Sequence, residues 1–174
     1  MEHNERKARL EALFAAHSDS VLAYARRRSD PSTADDVLSE VFAVAWRRLD
    51  EVSADAGPWL LACARRVLAN GRRTERRRLA LLDRLRTTTP QVAPGLTTPG
   101  SAIGPALASL SERDREAVLL VAWDGLSPQE AAAVLGCSPR TFSVRLHRAR
   151  KRLLAALQAK EAAASLPLTE VRND

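Results

Sequence analysis

The 174-residue sequence predicts an all-α protein: two small helical domains joined by a flexible linker. Three observations lead there. Apolar residues recur at three- and four-residue spacing on either side of the chain's middle, the period of a half-buried helix. Alanine, leucine and arginine dominate the composition, and all three favour helix. Between the two periodic halves, residues 87–105 read TTTPQVAPGLTTPGSAIGP, with prolines at Pro90, Pro94, Pro99 and Pro105 and little charge. Proline fixes its own φ and biases the preceding residue away from helix, so no helix is expected to cross this stretch. The expected organisation is therefore a first domain over 1–86, a linker over 87–105, a second domain over 106–160 and a tail over 161–174.

In the first domain, Leu10, Leu13, Phe14, His17, Val21, Tyr24 and Ala25 form one stripe of a helix from about Glu5 to Arg28, which Ser29-Asp30-Pro31 ends. A second helix starts near Ser32 to Ala34 and runs to Leu49. Leu38, Val41, Phe42, Ala45 and Leu49 line its apolar face, opposite Asp36, Glu40 and Arg47. The segment DEVSADAG reads as a loop, and Pro58 suits the first turn of a third helix. There Leu60, Ala64, Val67 and Leu68 face inward before arginines take over.

The second domain carries sharper local signals. Ser111 precedes a helix with Asp114 three places on, an N-cap pattern. Ser127-Pro128-Gln129-Glu130 supplies a cap, a proline at the first helical position and a capping-box glutamate. That short helix ends at Gly136, and Ser138-Pro139 starts the next at once, running to about Lys160. Two capped helices around a tight glycine turn form a helix-turn-helix. In the second of them Phe142, Leu146, Ala149, Leu153 and Leu157 make the buried stripe, while Thr141, Arg145, Arg148 and Arg152 face away, an arrangement suited to a DNA groove lined by phosphates.

Charge is unevenly spread within a net of +6. Residues 30–55 hold seven carboxylates against Arg47 and Arg48, whereas residues 60–78 hold seven arginines against Glu75. Adjacent segments of opposite sign suggest one face for a protein partner and another for nucleic acid. Cys63 and Cys137 lie far apart among apolar positions and, with three scattered histidines, make no zinc pattern. Nor does a glycine-rich phosphate loop or a nucleophile–base pair stand out; Asp35 and Asp36, as helix neighbours, point apart. An enzyme is not expected, nor a metal, a cofactor or a small-molecule substrate. With no long apolar run and no signal-like N-terminus, a soluble cytoplasmic protein without membrane insertion is expected.

In this order and spacing, the two halves resemble the extracytoplasmic-function (ECF) sigma factors of bacterial RNA polymerase, over roughly residues 8–85 and 106–156. The resemblance implies a region-two bundle, a linker and a region-four helix-turn-helix. ADDVLSEVFAVAWRRL (Ala34–Leu49) is similar to the helix that grips core polymerase, which would give that contact to Asp36, Ser39 and Glu40. PWLLACARRVLANGRRTERRR (Pro58–Arg78) looks like the segment that engages the −10 element, implying Arg65, Arg66, Asn70, Arg72 and Arg73. The loop from Asp50 to Gly57 resembles a pocket for a flipped −10 base. LSPQEAAAVLGCSPRTFSVRLHRARKRL (Leu126–Leu153) is similar to the −35-reading motif, implying Arg140, Thr141, Ser143, Arg145 and Arg148. The implied partners are core RNA polymerase, promoter DNA (duplex at −35, single-stranded at −10) and an anti-sigma factor. The main rival is a stand-alone helix-turn-helix regulator binding an operator as a dimer; a purely protein-binding adaptor is another.

Overall fold

The computed structural model describes residues 2–53, 55–82 and 102–164, and every regular element among them is helical. The first domain holds α1 (Glu2–Arg26), α2 (Pro31–Arg47), a 3-10 turn (Leu49–Glu51) and α3 (Ala56–Leu82); the second holds α4 (Ile103–Ala108), α5 (Glu112–Ala122), α6 (Pro128–Leu135) and α7 (Pro139–Ala164).

Asp30 explains where α2 begins. Its carboxylate accepts from the Thr33 backbone N–H at 3.0 Å and the Thr33 hydroxyl at 2.6 Å, while Pro31 takes the first helical position. Those bonds, the hydroxyl's first, pull the Asp30 carboxyl down to about 2. The expected α2 boundaries shift slightly: the helix starts at Pro31 and stops at Arg47, and Leu49 buries its side chain from the 3-10 turn. Val41, Phe42 and Ala45 are buried as expected, with Leu38 only partly covered. On α1, Val21, Tyr24 and Ala25 are core, but Phe14 remains 48% exposed, touching the Phe42 ring at a centroid distance of 4.8 Å.

Helix α3 starts earlier than Pro58 and continues unbroken through Gly71 to Leu82. The expected loop is correspondingly short, because the 3-10 turn and the first turn of α3 occupy both of its ends. Leu60, Ala64 and Leu68 are buried one above another at four-residue steps.

Residues 87–101 of the expected linker lie outside the described residues. Its last residues are helical: α4 opens at Ile103, three residues before the expected domain start, with Gly104-Pro105 in its first turn, where a missing N–H has no intrahelical partner to lose. At the other end α7 runs on to Ala164, into the expected tail, along the helix-favouring run QAKEAAA.

The second domain's caps form as expected. Ser111 accepts from the Asp114 N–H at 3.2 Å. Ser127 and Glu130 complete a reciprocal capping box, at 3.3 Å and 2.7 Å, and the bonds from Ser127 hold the Glu130 carboxyl below its usual value. Gly136 adopts φ 65°, which lets its own N–H reach Ala133 O at 3.1 Å and the Cys137 N–H reach Ala132 O at 3.0 Å. This pair of bonds is a Schellman motif, and it reverses the chain within three residues before Ser138 caps α7 through the Thr141 N–H at 3.1 Å. Phe142, Leu146 and Ala149 of α7 are buried beneath α5 and α6.

The two domains touch. Helix α6 packs against α3, and one continuous apolar cluster runs through both halves.

Candidate nucleic-acid interface

The positions expected to read −35 DNA are brought together. Arg140, Thr141, Arg145 and Arg148, with Val144 and Arg152, line one side of an open cleft on the outer face of α7. Their placement follows from the helix: Thr141, Arg145, Arg148 and Arg152 recur at three- and four-residue steps, opposite the buried stripe of Phe142, Leu146 and Ala149. Ser143 is the exception. It is exposed but lies off the cleft, and its hydroxyl donates back to Pro139 O at 2.9 Å. Asp114 was not among the expected site residues. It is the buried carboxylate of α5 beneath this face, and it forms an ion pair with Arg152 that ties the middle of α7 to α5. Guanidinium groups spaced one turn apart on a convex helix can bond phosphates and guanine edges, chemistry that lysine performs less well.

On α3 the five expected −10 residues are all exposed and divide into two stripes. Arg66, Asn70 and Arg73 follow at four and three residues and form one. Arg65 and Arg72, with Ala69 between, form the other, which lines a second cleft facing Gly136, Cys137 and Arg145 of the second domain. Arg72 pairs with Glu112 at the start of α5. Arg145 therefore borders both clefts.

Asp36, Ser39 and Glu40 share the exposed outer face of α2. Glu40 is bridged by Arg47 at 3.1 Å, and the Ser39 hydroxyl donates to Asp35 O at 3.1 Å. Among the described residues, no helix is long and apolar enough to cross a membrane.

Sequence reasoning missed the seam between the domains. Tyr24, at the end of α1, donates its hydroxyl to Glu116 Oε1 at 2.8 Å. Arg28 donates to Glu116 Oε2 at 2.9 Å and to Asp124 Oδ2 at 2.8 Å, with its guanidinium stacked 3.6 Å from the Tyr24 ring centroid. Arg27 forms an ion pair with the other Asp124 oxygen. Burial, together with the Glu116 carboxylate and against the pull of Arg28, raises the Tyr24 phenol far above its ordinary value, so it stays a proton donor. The partners lie 88 to 97 residues apart in sequence, so no local pattern announces them.

Comparisons with known proteins agree with this architecture. Residues 13–78 match the family described as Sigma-70 region 2, and residues 102–153 match Sigma-70, region 4. The chain is 35% identical over 158 residues to the ECF RNA polymerase sigma factor SigC of Mycobacterium tuberculosis, covering 84% of this chain and 82% of that protein. It is 31% identical over 163 residues to the RNA polymerase sigma factor CnrH of Cupriavidus metallidurans, covering 84% and 85%. Among solved structures, it is similar to the sigma factor RpoE from Bartonella quintana in complex with the anti-sigma factor NepR, with a TM-score of 0.67, 25% identity and coverage of 85% and 96%. It is also similar to CnrH in complex with the cytosolic domain of CnrY, with a TM-score of 0.56, 27% identity and coverage of 86% and 88%. Both halves match in order, which favours the sigma reading over a stand-alone regulator: the chain belongs to the ECF sigma factors, which bind core RNA polymerase and direct it to promoters.

Proposed function

We propose that promoter recognition is divided between the two domains as follows. Arg140, Thr141, Arg145 and Arg148 on α7 engage duplex −35 DNA, Ser143 serving only as a flanking contact. Arg65, Arg66, Asn70, Arg72 and Arg73 on α3 hold the single strand at −10. Asp36, Ser39 and Glu40 on α2 dock onto core polymerase. The observation that carries this reading is the convergence of four of the five −35 positions on one cleft of a capped recognition helix.

Neither domain needs to bind tightly. Core polymerase holds them at a fixed separation, so engagement of one element raises the effective concentration of the other domain at its own. Binding only the unpaired strand at −10 offsets part of the cost of melting it. The protein's part is recognition, without chemistry of its own, and its place of action is the cytoplasm beside the polymerase. The structures of RpoE with NepR and CnrH with CnrY support an anti-sigma partner for this chain as well.

Run-off transcription with core polymerase and a pooled promoter library tests the assignment. Wild type should yield specific transcripts, and Asp36→Arg/Glu40→Arg should abolish them while duplex binding by α7 persists. Unchanged transcripts in that variant would remove the polymerase contact from α2. Tight dimeric binding to duplex without any initiation would restore the operator-binding reading.

A further inference from the structure

Among the described residues, four large apolar side chains face water: Phe14, Trp123, Val144 and Leu154. Phe14 rests on the Phe42 ring, Trp123 closes the C-terminal end of α5, and Leu154 lies beyond the turns of α7 that line the outer cleft. Val144 differs. It is 48% exposed and lines that cleft with Arg140, Thr141, Arg145, Arg148 and Arg152. It is also the sixth residue of α7, within the N-terminal stretch by which a recognition helix meets base edges.

Helix geometry aims this side chain outward. Val144 lies two residues from both Phe142 and Leu146, about 160° around the helix from each of these buried side chains at about 100° per residue. It interrupts a row at four-residue steps, Arg140, Val144, Arg148 and Arg152, that is otherwise cationic. Arg152 is held by Asp114, whereas Arg140 and Arg148 are exposed about 6 Å along the axis on either side of the valine. Local preference does not account for the choice, since valine forms helix less well than alanine or arginine and its branching gains nothing in water. A residue that breaks both the polar pattern and the propensity of its face points to a function. Its chemistry is narrow. A valine neither donates nor accepts, so it bonds no phosphate and no polar base edge. On the floor of the major groove the one apolar group is the 5-methyl of thymine. With Arg140 and Arg148 fixing the helix on the duplex, the γ-methyls of Val144 would exclude water from that methyl; a cytosine has only hydrogen there.

We propose that Val144 is a specificity-determining residue, selecting a thymine within the −35 element through its 5-methyl group. The proposal rests on the assignment of α7 to −35 DNA made above. The arginines on either side supply affinity and register, and the valine adds discrimination at one base pair.

The test removes single methyl groups from the DNA. The probe is a promoter duplex selected by the holoenzyme from a pooled library, with each −35 thymine on either strand replaced in turn by deoxyuridine, which lacks only the methyl. Competition binding compares holoenzymes carrying wild type, Val144→Ser and Val144→Ile, with circular dichroism and core affinity recorded for each chain. One uracil should weaken wild-type binding about fourfold, the worth of one buried methyl-sized group. Val144→Ser should bind thymine and uracil duplexes alike, and Val144→Ile should restore the difference, both with wild-type helicity and core affinity. A wild type indifferent to every uracil, or a selected −35 element without thymine, would overturn the proposal. So would a uracil penalty that persists in Val144→Ser, which gives the methyl to another side chain, or loss of helicity in that variant, which makes Val144 part of the fold. Arg140→Ala separates this failure from failure of the −35 assignment. If it weakens duplex binding while no uracil matters, only the role of Val144 falls. If neither Arg140→Ala nor Val144→Ser changes binding, α7 does not read this DNA and both fall.

Discussion

Replacing Gly136 by alanine and, separately, Gly71 by alanine isolates the backbone's share in the helix-turn-helix. Neither substitution meets a steric obstacle, since a Cβ built at either position has no neighbour within 4 Å. Only φ differs. Gly136 sits at 65°, where an L-residue is strained by about 1–2 kcal/mol, against about 0.5–1 kcal/mol gained by restricting the unfolded chain. The net expectation is a destabilisation of about 1 kcal/mol. Gly71 lies inside α3, where the same change should gain about 0.5–1 kcal/mol. Urea unfolding followed by circular dichroism should move the midpoint in opposite directions at constant slope, and Tm should split by about 3–8 °C, at about 2–4 °C per kcal/mol for a chain of this size. If Gly136→Ala were neutral or stabilising, the Schellman turn would not be what reverses the chain between α6 and α7, and the placement of the recognition helix would need another cause.

Replacing Arg140 or Arg148 by alanine should weaken −35 duplex binding and flatten its salt dependence, by about 0.9 in the log–log slope for each phosphate left without its cation. Anisotropy titrations across a salt series measure this, and an unchanged slope would assign the residue to base edges or to no role in binding. Asp30→Asn keeps a capping side chain but removes a titration. Because the Asp30 carboxyl is depressed from 3.8 to about 2 in the folded protein, its contribution is fully present above pH 3.8 and is lost as pH falls through about 2. The Tm difference between wild type and Asp30→Asn should therefore be flat near neutrality and shift against wild type only in that acid window.

The local features were legible because they are written in neighbouring residues. Ser111, Ser127 with Glu130, Gly136 and Ser138 each act on partners within five positions, so their spacing alone predicts the turn and the start of α7. The same holds for the arginine steps on α7, whose outward direction follows from burial of Phe142 and Leu146 on the opposite side. Helix ends were read less well where competing tendencies are close in energy: α3 opens before Pro58, and α4 absorbs Gly104-Pro105. Ser143 shows a further limit, because a hydroxyl near a helix start can serve the backbone instead of the groove. The seam was invisible for a different reason. Arg27 and Arg28 read as two more charges at a helix end, and only the fold brings Glu116 and Asp124 to them.

Tyr24 is the only tyrosine in the chain, and its one phenol sits at that seam. Shut, it is out of water beside a carboxylate and holds its proton; parted, it would meet solvent and ionise near the ordinary value of 10.0. Ionisation adds a phenolate band to the near-ultraviolet spectrum, so the difference between spectra taken below and above about pH 10, in which the tryptophan background cancels, would report only those molecules whose halves have separated. The protein thus carries its own optical gauge, one chromophore per chain, readable without dyes or labels.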